Sequence, residues 1–411
     1  MDFQKTLTGS SGSVIKSHNV QAILLALLQY GTLSRAALAQ MTGLSSTTIT
    51  NLVAELLADG VVIEEGRVRR RRVGRPRMAL QLVPDARFAV GVHIGVGDIR
   101  VTVTNLLAQP LLVRSFEHPL EEPAEAVLEK SLDVVRQALV DSAVAEENVV
   151  GLGVGASGLV NTNTGVNVFA PNLDWHDVPV QSWFATRTGF PVCVDNNVRA
   201  MALAEALFGS GKESQVLAFV YVRIGVGAGI VVNRQLYHGS VAGAGEIGHT
   251  VIIADGGEPC RCGNTGCLET LISEPVIVRQ AERLAAERPD GILARGLRQD
   301  DQPCILRVFE AAERGDKATR ALLAERARYM GIALANLVNV LNPDRIILGG
   351  LYAQGTKWLL PTTKDTLQMR AFADLGKRVQ IEITEFGQEV GAVGAAALAL
   401  HAFFFQNTES L

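Results

Sequence analysis

The sequence is poor in several things, and each shortage removes a class of protein. Only 5 of its 411 residues are cysteine, too few for a secreted scaffold built on disulfides. Charged residues make up 19% against 48% hydrophobic. That balance excludes a disordered chain, which carries too little apolar surface to offset the entropy of folding. No uninterrupted apolar run reaches the roughly 18 residues a membrane span needs, although mean hydropathy is +0.21. Residues 1–18 are polar, without the apolar core of a signal peptide. The expected compartment is the cytoplasm, with no membrane partner. What the chain has is length, enough for two or three domains with substantial cores.

Net charge is −4, unevenly spread. Residues 1–85 hold 10 Lys+Arg and 6 Asp+Glu, a surplus of +4, and the remainder holds 28 against 36, a deficit of −8. A basic head on an acidic body points to nucleic acid at one end only. Within the head, Ile23, Leu24, Leu27 and Leu28 repeat at helical spacing over residues 19–30. Ser34 is placed to cap a second helix reaching Met41, and Ser45 a third, with Thr42-Gly43-Leu44 as the turn between them. The third helix buries Ile49, Leu52, Val53 and Leu56, and Gly60 ends it. Three short helices with a glycine turn before the last describe a helix-turn-helix.

The outer face of that third helix offers Thr47, Thr48, Thr50 and Asn51, short polar groups able to reach base edges or phosphates. A solvated face on an ordinary helical bundle is the bland alternative. Strand-like residues 61–63 and 78–82 then flank a segment carrying Arg69, Arg70, Arg71, Arg72, Arg75 and Arg77. So many cations in one turn repel each other in solvent and make sense against phosphates. Arg75, between Gly74 and Pro76, suits a narrow minor groove. The predicted unit is a winged helix-turn-helix over residues 1–82.

Further on, the chain reads Gly245-Glu246-Ile247-Gly248-His249 and then Cys260-Arg261-Cys262-Gly263-Asn264-Thr265-Gly266-Cys267-Leu268-Glu269. One His and three Cys complete a tetrahedral set for zinc, and a closed set leaves no position for activating water. Such a metal, Zn2+, is structural rather than catalytic. Three unpaired thiols in a glycine-rich loop are the alternative. A zinc-bound imidazole needs a partner on its other nitrogen, and a sugar hydroxyl between Glu246 and Glu269 would supply one.

The spacing E-x-G-H followed by C-x-C-G-x-x-G-C-x-E resembles the signature of the ROK family of sugar kinases and sugar-responsive repressors, and the chain matches it at every position. The resemblance implies that His249, Cys260, Cys262 and Cys267 hold zinc. It also implies sugar contacts from Asn172, Asn196, Asn197, Glu246, His249 and Glu269. For Asn172, in Pro171-Asn172-Leu173-Asp174-Trp175, an ordinary turn capped by an aromatic stays open as the other reading.

From residue 88 the pattern alternates. Strands are predicted over 88–94, 100–105, 149–155 and 346–350, helices over 123–144, 178–188, 198–208 and 316–341, and a hairpin over 216–223 and 229–233. Mixed elements with glycine turns at strand ends argue for α/β layers. The resemblance implies the two-lobed, actin-like sugar-kinase fold. The expected division is a linker at 83–87, a first lobe at 88–198 completed by a C-terminal helix at 388–405, and a second lobe at 199–387 containing the zinc loop 249–267.

In kinases of this family an Asp-x-Gly-Gly-Thr loop, a Gly-Thr-Gly turn and an Asp base perform phosphoryl transfer. Here the corresponding stretches are His93-Ile94-Gly95-Val96-Gly97, Arg223-Ile224-Gly225-Val226-Gly227 and Asn196-Asn197. An amide cannot take a proton near neutral pH, and losing a positioned base costs about 10²–10⁴-fold in rate. Asp195 is an awkward substitute, because adjacent side chains point apart. Leu348-Gly349-Gly350, a nucleotide-side turn in those kinases, is retained, though a plain strand-to-helix turn reads the same way. Cys193 and Cys304 are expected to be buried structural thiols.

The function expected is therefore a sugar-responsive repressor, not an enzyme. Its partners would be operator DNA, a sugar effector and further copies of itself, as a homodimer or dimer of dimers. The alternatives are an ATP-dependent sugar kinase with a DNA-binding extension and a repressor relieved by a protein partner.

Overall fold

The computed structural model describes residues 12–68, 77–119, 122–299 and 302–406. At the N-terminus three helices, α1 (Gly12–Tyr30), α2 (Arg35–Thr42) and α3 (Ser46–Ala58), precede a hairpin of β1 (Val62–Val68) and β2 (Arg77–Leu82). Both predicted caps form: Ser34 Oγ accepts from the Ala37 amide at 3.2 Å, and Ser45 Oγ from the Thr48 amide at 3.1 Å. Gly43, at φ +72°, ends α2 in the left-handed region that a side chain resists. The first helix begins earlier than residue 19: the described side chains of its opening turns are not buried, so periodicity cannot detect them. The stretch with Arg70, Arg71, Arg72 and Arg75 lies outside the described residues.

The body holds two sheets of the same design. In the first, β3 (Phe88–Ile94), β4 (Asp98–Asn105) and β5 (Pro110–Glu117) form an antiparallel meander. After α4 (Ala124–Ser142), β6 (Val149–Ala156) returns parallel to β3. A small antiparallel sheet of β7 (Leu159–Asn161), β8 (Val166–Ala170) and β9 (Trp175–Val178) then leads through α5 (Val180–Thr188) to β10 (Val192–Asn196), parallel to β6. The strand order is β10-β6-β3-β4-β5. The chain turns directly into α6 (Asn197–Leu207).

The second sheet repeats the plan. A meander of β11 (Val216–Val222), β12 (Val226–Val232) and β13 (Gln235–Leu236) is followed by helices α7 (Glu269–Ile272), α8 (Glu274–Glu287), α9 (Ile292–Leu297), α10 (Cys304–Glu313) and α11 (Lys317–Leu341). Then β14 (Arg345–Gly350) lies parallel to β11, and β15 (Gln380–Ile383) parallel to β14, giving β13-β12-β11-β14-β15. The predicted hairpin was 216–223 with 229–233, but β12 starts three residues earlier. Its glycines disguised it: a Cβ on Gly229 would lie 2.5 Å from the Ala202 side chain, so helix α6 and strand β12 meet only because that side chain is missing.

Helix α6 runs unbroken between the two sheets, packing on β11 and β12 on one side and on the C-terminal helix α12 (Val390–Ala399) on the other. Helix α12 fills the back of the first sheet; Cβ atoms on Gly91 and Gly153 would lie 2.2 and 1.9 Å from its carbonyl oxygens. Together with its flanking turns it is, among the described residues, the one helical stretch apolar and long enough to cross a membrane, and 72% of that window is buried inside the protein.

Head and body are not loosely strung. The linker forms a 3₁₀ turn, Pro84–Ala86, whose Pro84 carbonyl accepts from the Leu106 amide at 2.9 Å while Asp85 Oδ1 accepts from Asn105 Nδ2 at 3.1 Å. Ile23, Leu24, Leu27 and Leu28 of α1 belong to the same apolar cluster as Leu203 and Leu207 of α6 and Phe404 and Phe405 beyond α12.

Candidate functional site

Between the sheets opens a cavity of about 300 Å³, at the lower end of the range for small-molecule sites. Asn172, Asn196, Asn197, Glu246, His249 and Glu269 all line it. They arrive from distant parts of the chain: Asn172 from the turn after β8, the two asparagines from the β10–α6 junction, and the rest from the long excursion after β13. Gly225 marks where they converge. A Cβ there would lie 3.2 Å from Glu269 Oε2 and 3.7 Å from Asn172 Nδ2, so glycine leaves that space free.

The six are not equivalent. Asn196 caps α6, its Oδ1 accepting from the Val198 and Arg199 amides at 2.9 and 3.2 Å, and its Nδ2 donates to the Gly158 carbonyl at 2.9 Å. It builds the wall and has little left to offer a ligand. Asn197 donates from Nδ2 to Ser157 Oγ at 3.0 Å; Ser157 also lines the cavity and carried no signal in the sequence. Glu269 accepts from the Val226 amide at 2.9 Å. Burial raises its pKa, the Val226 amide and His249 oppose that, and neighbouring Glu246 adds to it. Arg261, unforeseen, reaches across the cleft to donate to Asn172 Oδ1 at 3.0 Å.

The metal-ligand candidates meet beside this wall. One atom each from His249, Cys260, Cys262 and Cys267 lies within 4.8 Å of the other three. Cys260 Sγ sits 3.6 Å from His249 Nδ1, and Cys262 Sγ sits 3.8 Å from Cys267 Sγ. A tetrahedral zinc with Zn–S bonds of about 2.3 Å has sulfur–sulfur edges of about 3.8 Å, so the four groups fit such an ion. Burial and the adjacent thiols push Cys267 up to about 12, a crowding that a cation relieves. With Nδ1 on the thiol side, His249 keeps Nε2 for the cavity.

Two hairpin turns, one from each sheet, also line the cavity, and the second carries Gly225. Residues 95–97 join β3 to β4, and residues 223–225 join β11 to β12. From their edges Asp98 and Arg223 meet across the cleft, Oδ1 to Nη1 at 2.8 Å. Arg100 Nε holds the other Asp98 oxygen at 3.0 Å, and Glu274 approaches Arg223 at 3.9 Å. Burial pushes Asp98 up, but His93 and the two guanidinium groups outweigh it and hold the carboxyl below its ordinary range. His93 is 4% exposed, and burial lowers its pKa to about 4.

Asp195 does not line the cavity; it is buried against Arg199 Nε at 2.6 Å and His238 Nε2 at 2.8 Å. Two other expectations need adjusting. Cys304 is exposed at the first residue of α10, and Cys193 is only half-buried, although burial does raise its thiol pKa. Trp175 packs in the core beside the first sheet and does not line the cavity. Gly350 ends β14 at φ +66°, where a Cβ would lie 2.1 Å from the Val222 carbonyl oxygen, so its conformation is set by packing on β11. In the head, Thr47, Thr50 and Asn51 are exposed on α3, while Thr48 is half-buried with its hydroxyl 2.9 Å from Ser45 Oγ.

Comparison with known proteins matches residues 89–402 to the ROK family and residues 17–63 to a winged helix-turn-helix DNA-binding family. A xylose repressor of Caldicellulosiruptor bescii is 28% identical over 390 residues, covering 94% of this chain and 96% of the relative. A glucokinase of Halalkalibacterium halodurans is 31% identical over 314 residues, covering 76% of this chain and 94% of its own. Among solved structures, a ROK transcriptional regulator described as a homologue of the E. coli Mlc protein superposes with a TM-score of 0.80 at 26% identity, covering 95% of this chain and 97% of that one. The kinase relative stops short of the head, whereas the regulators span head and body alike; the chain belongs to the ROK family and carries that family's body behind a winged helix-turn-helix.

Proposed function

We propose that this protein is a repressor of sugar-metabolism genes whose grip on operator DNA is set by a monosaccharide or derivative in the cleft, and that it is not a kinase. One observation carries the reading: five side chains suited to sugar hydroxyls, Asn172, Asn197, Glu246, His249 and Glu269, share one cavity whose wall Asn196 shapes, while the position expected to hold a carboxylate base is Asn197, an amide bonded to Ser157. Carboxylates and amides supply both donors and acceptors around a ring. Phosphoryl transfer depends on positioning and charge stabilisation, and the two hairpin turns are engaged with each other.

Zinc is the structural ion in this reading. It holds His249 so that Nε2 faces a sugar hydroxyl and braces the loop carrying Glu246 and Glu269. The first and second lobes, 88–198 and 199–387, close around the ligand. Helix α6 supplies the connection to the head, beginning at Asn197 in the cavity wall and ending near Phe208, whose ring lies 6.3 Å from that of Phe405 in the core shared with α1. A coupling of about 1–3 kcal/mol changes operator affinity about 5–150-fold. In a homodimer, or dimer of dimers, it acts on the spacing of two heads over paired half-sites. Thr47, Thr48, Thr50 and Asn51 read DNA, helped by Arg70, Arg71, Arg72 and Arg75 on the wing, and the protein works in the cytoplasm. Operator binding measured with and without a panel of sugars tests this; unchanged affinity for every sugar rejects it.

A further inference from the structure

In a cavity that takes a sugar, the proposed reading on which this inference rests, the wall also limits the charge that the sugar can carry. A phosphate monoester brings about 1.5–2 negative charges near neutral pH and needs cations or free N–H groups to meet them. Among the described lining residues Arg223 is the one Lys or Arg, against the carboxyl groups of Asp98, Glu246 and Glu269. Arg223 is already held by Asp98 at 2.8 Å and approached by Glu274 at 3.9 Å. Asp98 cannot swing away freely, because Arg100 holds its second oxygen. Arg261, at the rim, is donated to Asn172.

Three backbone amides of the turns are engaged as well. The Gly95 amide bonds the Asp98 carbonyl at 2.8 Å, the Arg223 amide the Gly225 carbonyl at 2.9 Å, and the Val226 amide Glu269 at 2.9 Å. Turns of this kind cradle phosphate through amides that point outward and unpaired, and these three are turned inward onto the protein. A neutral sugar has no such need, since its hydroxyls donate to carboxylates and accept from Asn172 or Asn197.

We infer that the Asp98–Arg223 pair is a specificity determinant, reserving the cavity for an uncharged sugar and barring its phosphate ester. The two residues come from different sheets, so the pair also bridges the cleft with the protein's own charges.

The test is calorimetric titration of the full-length zinc-loaded protein with matched pairs: xylose and xylose 5-phosphate, glucose and glucose 6-phosphate, N-acetylglucosamine and its 6-phosphate. For the pair that binds, the free sugar is expected to bind about tenfold or more tightly than its ester. Asp98→Asn, which releases Arg223, is expected to narrow that ratio about tenfold by strengthening the ester. Glu274→Gln, at the edge of the network, moves it the same way by less and serves where Asp98→Asn fails to fold. An ester binding the wild type as tightly as the free sugar, or a ratio unmoved in both variants, overturns the inference while leaving the sugar site standing. Failure of every free sugar and ester to bind overturns both.

Discussion

The two ends of the cleft are built from similar parts and have opposite chemistry. At the end beside the thiol cluster, Glu246, Glu269, Asn172 and His249 converge on the space above Gly225 without closing on one another. At the other end, two residues back along the turn that carries Gly225, Arg223 meets Asp98 of the equivalent hairpin in the first sheet, and the two satisfy each other. Both ends are polar and both are partly buried. Polar groups left apart are available to a ligand, whereas polar groups paired across a cleft have replaced one. In the proposed reading, the open groups serve the ligand and the paired ones serve the protein itself.

The comparison can be broken most forcefully at the metal. With zinc held by the thiol cluster as proposed, a chelator or Cys267→Ser is expected to cost on the order of 4 kcal/mol, the scale of losing a structural metal, and to abolish sugar binding. Calorimetric melting with and without chelator measures it; an unchanged melting temperature would separate the metal from the open end.

Acid attacks the paired end. An unfolded His93 takes a proton below pH 6.5, and the folded one only below about 4. The unfolded chain binds more protons in between, so the stability contributed is full above pH 6.5 and falls as pH drops toward 4, by at most about 3 kcal/mol. His401, lowered to about 4 by burial, adds the same trend. Melting of the wild type and His93→Gln between pH 7 and 4 checks this: the variant should lose less over that window.

Glu269→Gln sharpens the open end. A hydrogen bond to a charged group is worth about 1.5–3 kcal/mol, so sugar affinity should fall about 10–100-fold in titration calorimetry while operator binding without sugar stays as in the wild type. The smallest effect belongs to the connector. Phe208→Ala should leave sugar affinity in place but weaken the sugar's effect on operator binding by about 1 kcal/mol, read as a reduced shift in operator titrations.

Local chemistry made part of this legible in the sequence. Ser34, Ser45 and Gly43 announced the helices of the head because caps and left-handed turns are decided within four residues. The thiol cluster was legible for the same reason, its ligands lying within nineteen residues. Asp98 and Arg223 are 125 positions apart and no motif links them, so nothing short of the assembled sheets pairs them. Asn196 shows a different limit: its place in the motif suggests a sugar contact and it does line the cavity, but the need of α6 for a cap, which engages its side chain, is not legible in the motif. The shared core of head and body was equally hidden, since Leu27 and Leu207 look like ordinary members of two separate helices.

The most direct measurement follows sugar binding and nucleotide turnover in one sample of the zinc-loaded protein, with wild type and Asn197→Asp side by side. Sugar should raise the melting temperature while ADP formation from ATP stays at the protein-free background in both, because a restored carboxylate has no phosphate cradle to work with. Sustained, sugar-dependent ADP formation by the wild type would contradict the account.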